Sequence, residues 1–130
     1  TVSSGQVTLN RSAKTVHFGL KYTSTLQTMR VDAGATLGTS QGKTKRIYDV
    51  TVRLYRTVGL KIGQSLSVND LVPFRSSADE MDEALDLYTG DKTIEFTSGY
   101  DSDGYIYAVS EQPLPLTILS IFPRLQTFER

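Results

Sequence analysis

The chain has 130 residues, the size of one domain, and 14 Lys and Arg residues balance 14 Asp and Glu residues. A zero net charge disfavours a general polyanion binder, although a local basic patch is still compatible with it. The chain has no Cys, which excludes disulfides and thiolate metal sites, and one His, which disfavours a multi-histidine metal site or a histidine relay. No apolar run approaches the ~20 residues of a membrane span, so we expect no membrane insertion.

The N-terminal third contains one clear alternating segment, 16–22. Its apolar side chains recur at every second position and predict one face of a half-buried strand: Val16, Phe18, Leu20 and Tyr22. His17 lies on the opposite, polar face, where a lone histidine is more often a surface residue than a catalyst. Val7 and Leu9 suggest a shorter strand before it. Segment 24–40 is expected to be extended or irregular, with a glycine-rich loop over 35–42.

The strongest strand pattern covers residues 46–58. Tyr48, Val50, Val52 and Leu54 share one face, and their polar neighbours share the other. Gly59 is expected to mark a turn or a bulge, after which residues 60–62 continue the sheet.

Residues 77–86 are the one place where a short helix is predicted. Ser77 and Glu80 have the spacing of a capping box, and Met81 and Leu85 lie four residues apart. The alternative is an acidic loop, because the segment is dense in Asp and Glu.

The C-terminal third is again rich in strand signals. Residues 93–97 and 105–109 predict a hairpin with a long turn. Residues 114–122 are apolar on both faces, so this strand is expected either at the centre of a sandwich or beneath another subunit. We therefore predict one all-β domain over residues 1–130, a β-sandwich or a small β-barrel with at most one short helix.

Asp101 and Asp103, followed by Gly104, resemble the opening of a calcium loop, in which alternate carboxylates converge on one cation. The competing interpretation is a turn stabilised by local hydrogen bonds, and it is the better supported. We therefore predict no metal site and no cofactor, with calcium at this loop as the weak alternative.

Charged and apolar segments supply candidate contacts between subunits. The basic cluster beside the glycine-rich loop could face the acidic segment of a neighbouring copy, and the two-sided apolar strand could pack there as well. The charged candidates are Lys43, Lys45, Arg46, Glu80 and Glu83. The apolar candidates are Leu114, Leu116, Ile118, Ile121 and Phe122.

Three tyrosines near the C-terminal strands are candidate ligand contacts. Tyr100, Tyr105 and Tyr107 could form a sugar-stacking platform, although packing at the margin of the core explains tyrosines in strands equally simply. No base or oxyanion partner for a serine nucleophile is evident, so we predict that the chain is not an enzyme.

Several short pieces together resemble one family. They are the 18–26 segment FGLKYTSTL, the 41–47 segment QGKTKRI, the 87–92 segment LYTGDK, the 99–104 segment GYDSDG and the 112–119 segment QPLPLTIL. In this order they resemble the C-terminal domain of the tail nozzle proteins, also called tail stabilisation or tail tubular proteins, of short-tailed bacteriophages and prophages. The resemblance spans about residues 16–128.

The resemblance implies a structural, non-catalytic role in the virion. Nozzle proteins form rings, usually hexamers, at the distal end of the tail, where they extend or close the DNA conduit. For this chain it implies a C-terminal fragment of a longer tail protein, assembled in the bacterial host cytoplasm and located in the virion tail. Its implied partners are copies of itself, other tail proteins and passing DNA without sequence specificity. The alternative is a carbohydrate- or receptor-binding β-sandwich of a phage tail.

Overall fold

The computed structural model describes residues 2–16, 19–32, 38–81 and 83–128. The described part contains strands and no helix. In chain order the strands are β1 (Val2–Ser3), β2 (Gln6–Val7), β3 (Ser24–Gln27), β4 (Thr44–Thr57), β5 (Lys61–Gly63), β6 (Asn69–Leu71), β7 (Tyr88–Glu95), β8 (Tyr107–Ser110) and β9 (Ile118–Phe128). The all-β fold predicted from the sequence is confirmed.

Two sheets enclose the core in a sandwich-like arrangement. One sheet has three antiparallel strands in the order β7-β4-β9, and the other has four in the order β3-β8-β5-β6. β1 and β2 form a separate two-stranded ribbon. Buried apolar side chains from β4, β5 and β8 belong to a single cluster, together with Leu60, Val72, Phe96 and Ile106 from the connecting segments. Neither sheet closes on itself within the described part, so the sandwich alternative holds rather than the barrel.

Strand β4 follows the predicted alternation, with one correction. Val50, Val52 and Leu54 are buried as expected, but Tyr48 is exposed, and Ile47 occupies the buried position instead. The pairing between β4 and β9 shifts between Ile47 and Asp49. Such an irregularity inserts an extra residue and reverses which side chains face the core.

Three local predictions from the sequence are wrong: a hairpin, a short helix and an N-terminal strand. Residues 93–97 and 105–109 do not form a hairpin, since β7 pairs with β4 and β8 pairs with β3 and β5. The described residues of 77–86 form turns and bends rather than a helix. Val16 and residues 19–22 are exposed and form no strand, because the first long pairing begins only at β3; His17 and Phe18 lie outside the described residues.

Among the strands that the structure describes, β9 lies at the edge of its sheet and pairs only with β4. Its position explains how Pro123 is tolerated within a strand, because proline cannot donate to a ladder and is therefore confined to edges. Of the two arrangements predicted for the two-sided apolar strand, the central position in a sandwich is therefore wrong. Ile118, Ile121 and Leu125 pack against the core while remaining partly exposed.

The chain exposes more surface than a compact domain of its size. Its accessible area is 9715 Å², against about 6,800 Å² expected for a folded monomer of 14.4 kDa. The difference of roughly 2,900 Å² comes in part from the N-terminal segment, in which residues 3–16 and 19–27 are all exposed.

Candidate interaction surface

The side of the β7-β4-β9 sheet that faces away from the core is called the outer face below. The strand register arranges its centre as three rows, each with one residue from β7, one from β4 and one from β9. The rows are Glu95-Asp49-Arg124, Thr93-Thr51-Phe122 and Asp91-Arg53-Ser120. Because side chains alternate along a strand, the neighbours of Thr51 and Arg53 on β4 fill the core while these two residues point outwards.

Arg53 is held in one orientation at the middle of this face. Its Nε and Nη2 atoms donate to Oδ1 and Oδ2 of Asp91, both at 2.7 Å. Its guanidinium carbon also lies 5.4 Å from the centre of the Phe122 ring. The hydrogen bond from Arg53 lowers the pKa of Asp91, and the hydrogen bond to Asp91 raises the pKa of Arg53. A bidentate and stacked guanidinium is pre-organised, so the Arg53 side chain loses little conformational entropy when a partner binds.

The other rows of the outer face are also linked across strands. The hydroxyl groups of Thr51 and Thr93 lie 2.8 Å apart, and Arg124 Nη1 approaches Asp49 Oδ2 at 3.5 Å. The second carboxylate oxygen of Asp49 is buried and has no hydrogen-bond partner among the described residues. These cross-strand pairs hold the face in a defined arrangement before any partner arrives.

Around the rows, the outer face is rich in aromatic and arginine side chains. Tyr55 and Leu119 are 50% and 57% exposed, and Phe122 is 45% exposed. At one end, Arg46 lies over the Tyr100 ring at 5.9 Å, and Tyr100 packs edge-on against Phe128 with ring centres 5.0 Å apart. Aromatic residues and arginine are enriched in protein–protein interfaces, which makes this surface a candidate interaction site.

The predicted basic candidates do not form one exposed patch. Arg46 is exposed and belongs to the outer face, whereas Lys43 is half-buried. Lys45 is only 1% exposed, and its Nζ donates to the carbonyl oxygen of Val31 at 3.0 Å. Lys45 occupies a core-facing position on β4, where its long aliphatic stem packs inside. The proposal that Lys45 forms an intersubunit ion pair is therefore wrong.

The predicted acidic candidates lie on an exposed loop. Glu80 and Glu83 are both exposed, and their backbone carbonyl oxygens accept hydrogen bonds from Arg75 at 2.8 and 3.0 Å. Arg75 therefore organises the loop through its backbone and leaves the two carboxylates outside these bonds. Asp82 lies outside the described residues.

The apolar candidates separate into two groups. Leu116, Ile118 and Ile121 are half-buried against the core, whereas Phe122 is on the outer face and Leu114 is 39% exposed. The sequence identified Phe122 but not the residues that surround it. Leu119 and Arg124 lie on the same strand as Phe122, whereas Asp91 reaches this face only because the strand order places β7 and β9 on either side of β4.

Asp101 forms the turn that the sequence favoured. Its two carboxylate oxygens accept the backbone N–H groups of Asp103 and Gly104, each at 3.2 Å. Partial burial raises the pKa of Asp101, but backbone hydrogen bonds from Asp103, Gly104 and Ser102 outweigh it, so the net change is downwards. Asp103 pairs with Arg30 at 3.0 Å. Among the described residues, no three His, Asp or Glu side chains form a group that could hold a metal ion.

The three candidate tyrosines do not share one platform. Tyr105 and Tyr107 are half-buried and pack edge-on with ring centres 6.4 Å apart. The Tyr105 hydroxyl accepts a hydrogen bond from Arg30 Nε at 3.2 Å. Tyr100 is 60% exposed and instead packs with Phe128 at the end of the outer face.

Comparisons with known proteins assign no family. No protein-family model matches the chain, and no curated protein matches it significantly. Within the described ranges, no segment forms a helix that is long and apolar enough to cross a membrane.

Proposed function

We propose that this chain is a structural module of the tail nozzle of a short-tailed phage or prophage. In this proposal it is the C-terminal part of a longer tail protein, packs against copies of itself in a ring and helps to form or close the DNA conduit. The proposal rests on the motif resemblance over residues 16–128 and on one structural observation, the large surface that the isolated chain leaves exposed.

The exposed area has the size that assembly requires. A standard interface takes about 800 Å² from each partner, and a ring subunit has two such contacts. The excess over a compact monomer is roughly 2,900 Å², part of which belongs to the exposed N-terminal segment, and two such contacts take about 1,600 Å² from each subunit. A zero net charge also favours self-association, because identical copies with no net charge do not repel one another over long distances.

The hydrogen bonds and ion pairs of the acidic side chains support a non-catalytic role. Candidate acidic side chains are tied to turn and cross-strand bonds: Asp101 caps a turn, Asp103 pairs with Arg30, and Asp91 pairs with Arg53. Acid–base catalysis by two carboxylates needs a shared site in which their environments separate the two pKa values. Among the described residues, each of these three carboxylates instead has its own separate partner.

The test is the mass and shape of the assembled protein. The complete tail protein would be purified, and its mass measured by light scattering while the same fraction is imaged in negative stain. A ring of about six copies is the expected result. A monomer at native salt, both alone and with the other tail proteins, would contradict the proposal.

A second candidate is glycan or receptor binding, and Tyr100 is the observation that favours it. Its ring is 60% exposed beside Arg46, an arrangement suited to stacking on a sugar. The chain has no Trp, so tyrosine fluorescence reports directly on such binding. A concentration-dependent change with host glycans that is lost in Tyr100→Ala would support this alternative. An identical response in Tyr100→Ala and Tyr22→Ala would count against it.

A further inference from the structure

We infer that the outer face of the β7-β4-β9 sheet is a docking surface for a second copy of this chain. The inference deepens the proposed function, on which it rests, by naming the contact that would join neighbouring subunits. Its centre is the Arg53–Asp91 pair with Phe122 beneath the guanidinium.

The charges of this face favour a copy of the chain over a strongly charged partner. Three arginines stand against three carboxylates: Arg46, Arg53 and Arg124 against Asp49, Asp91 and Glu95. A surface with balanced charges can meet a different face of another copy, which has no net charge, without net repulsion. Nucleic acid would instead require an excess of positive charge, which the face does not provide.

The composition of the face is that of an interface centre. Its aromatic and leucine side chains are exposed, and its cations are arginines held in place by neighbours. The lysines of these strands lie elsewhere, since Lys45 is buried and Lys92 lies 5.0 Å from the Phe74 ring and 5.2 Å from the Tyr88 ring. Interface centres are enriched in aromatics and Arg and depleted in Lys, as this face is.

The area of the face approaches that of a standard interface. Strand β4 has 14 residues, which at about 3.3 Å each give a length of about 46 Å. Two to three strands about 4.8 Å apart give a projected area of roughly 500 Å². Protruding side chains increase the accessible area beyond this projection, towards the ~800 Å² per partner of a standard interface.

The first test compares two leucines with nearly equal exposure on different sheets. Leu119 on the outer face is 57% exposed, and Leu71 on β6 is 62% exposed. Sedimentation would measure self-association of the wild-type chain, Leu119→Asp and Leu71→Asp. We expect Leu119→Asp to raise the Kd of self-association by about tenfold or more and Leu71→Asp to leave this Kd unchanged. Equal effects in both variants, or a wild-type chain that stays monomeric up to about 1 mM, would overturn the inference.

A second test does not depend on an interface-breaking variant. Because the chain has no Cys, a single introduced thiol is the only labelling site. Thr93→Cys places it on the outer face, and Ser67→Cys places it at an exposed position of the β5–β6 connection. Maleimide labelling of Thr93→Cys should slow at high protein concentration while that of Ser67→Cys does not. Equal labelling of both would contradict the inference, as would protection of Thr93→Cys in a chain that sedimentation shows to be monomeric.

The two proposals fail in different ways. A full-length ring that survives Leu119→Asp would retain the proposed function and overturn the docking surface. A simple dimer that Leu119→Asp dissociates would retain the docking surface and count against the ring.

Discussion

Gly104 makes room for the buried stem of Lys45. A methyl group on Gly104 would lie 2.9 Å from Cδ of Lys45, and Gly104 has a φ of 65°. Lys45 and Asp101 also exchange backbone hydrogen bonds, each at 2.8 Å, so the turn at 101–104 is joined directly to β4. Charge reversal at Lys45 would therefore disturb folding and could not serve as a test of assembly.

We predict that Gly104→Ala destabilises the domain and that Gly99→Ala does not. The positive φ costs about 1–2 kcal/mol for a residue with a Cβ, and the contact with Lys45 adds to it. An added Cβ at Gly99 meets no atom within 4 Å. Urea unfolding of both variants measures the difference, and equal midpoints would show that the close approach carries no energetic weight.

Thr57 forms a buried hydrogen-bond junction between β4 and the segment that leads to β9. The single proton of its hydroxyl is shared between the carbonyl oxygens of Tyr55, at 3.0 Å, and Thr117, at 3.1 Å, and the hydroxyl oxygen accepts the N–H of Thr117 at 2.9 Å. We expect Thr57→Val to cost about 2 kcal/mol, because valine has the same shape and leaves buried groups unpaired. Thr51→Val, which breaks an exposed Thr–Thr bond, is the matched control and should change the free energy of unfolding by less than about 0.5 kcal/mol.

Asp32 should make the domain sensitive to acid. The backbone N–H of Ser40 and the hydroxyls of Thr39 and Ser40 donate to its carboxylate and lower its pKa from the ordinary value of 3.8. A carboxyl group with a lowered pKa stabilises the fold above its unfolded pKa, and this stability is lost as the pH falls through the folded pKa.

The measurement for Asp32 is the Tm of wild type and Asp32→Asn at pH 7 and at pH 3. We expect Asp32→Asn to melt at a lower temperature at pH 7 and the gap to narrow at pH 3. Asp70→Asn, at an exposed position of β6, is the control and should match the wild type at pH 7. A gap for Asp32→Asn that stays constant down to pH 3 would show that this carboxylate is not the acid-sensitive group.

Calcium should leave the stability of the domain unchanged. The carboxylate oxygens of Asp101 accept backbone N–H groups, and Asp103 is paired with Arg30. Even a Kd of 1 mM would give about 1.4 kcal/mol of stabilisation in 10 mM calcium. A rise in Tm that corresponds to a stabilisation of this size and is abolished in Asp101→Asn would refute this prediction and support the calcium site.

Much of the fold followed from local patterns. The alternation in 46–58 predicted the long central strand, and β4 spans Thr44–Thr57 with Val50, Val52 and Leu54 inside. Strands in the last third were predicted as well, but their partners were not. β7 and β8 are close in sequence and enter different sheets, because pairing depends on which edges are available in three dimensions.

The outer face shows why the candidate site was only partly predictable. Phe122 was singled out because the strand that contains it is apolar on both faces. Its neighbour Arg53 lies 69 positions earlier in the chain, and only the register of β4 with β9 places Phe122 in the adjoining row. Lys45 was misjudged because charge predicts exposure, whereas a lysine on the core-facing side of a strand can bury its stem and donate to one carbonyl oxygen.

The sequence by itself determined the class of this protein: zero net charge, no cysteine, a single histidine and period-two patterns that specify an all-β domain. The tertiary structure decided which strands became neighbours, and so which side chains were buried and which formed the outer face. The physical reason is that alternation is a local property of a strand. Pairing, edges and exposed faces depend on contacts between distant segments, and a one-residue shift at Tyr48 was enough to turn a predicted core residue outwards.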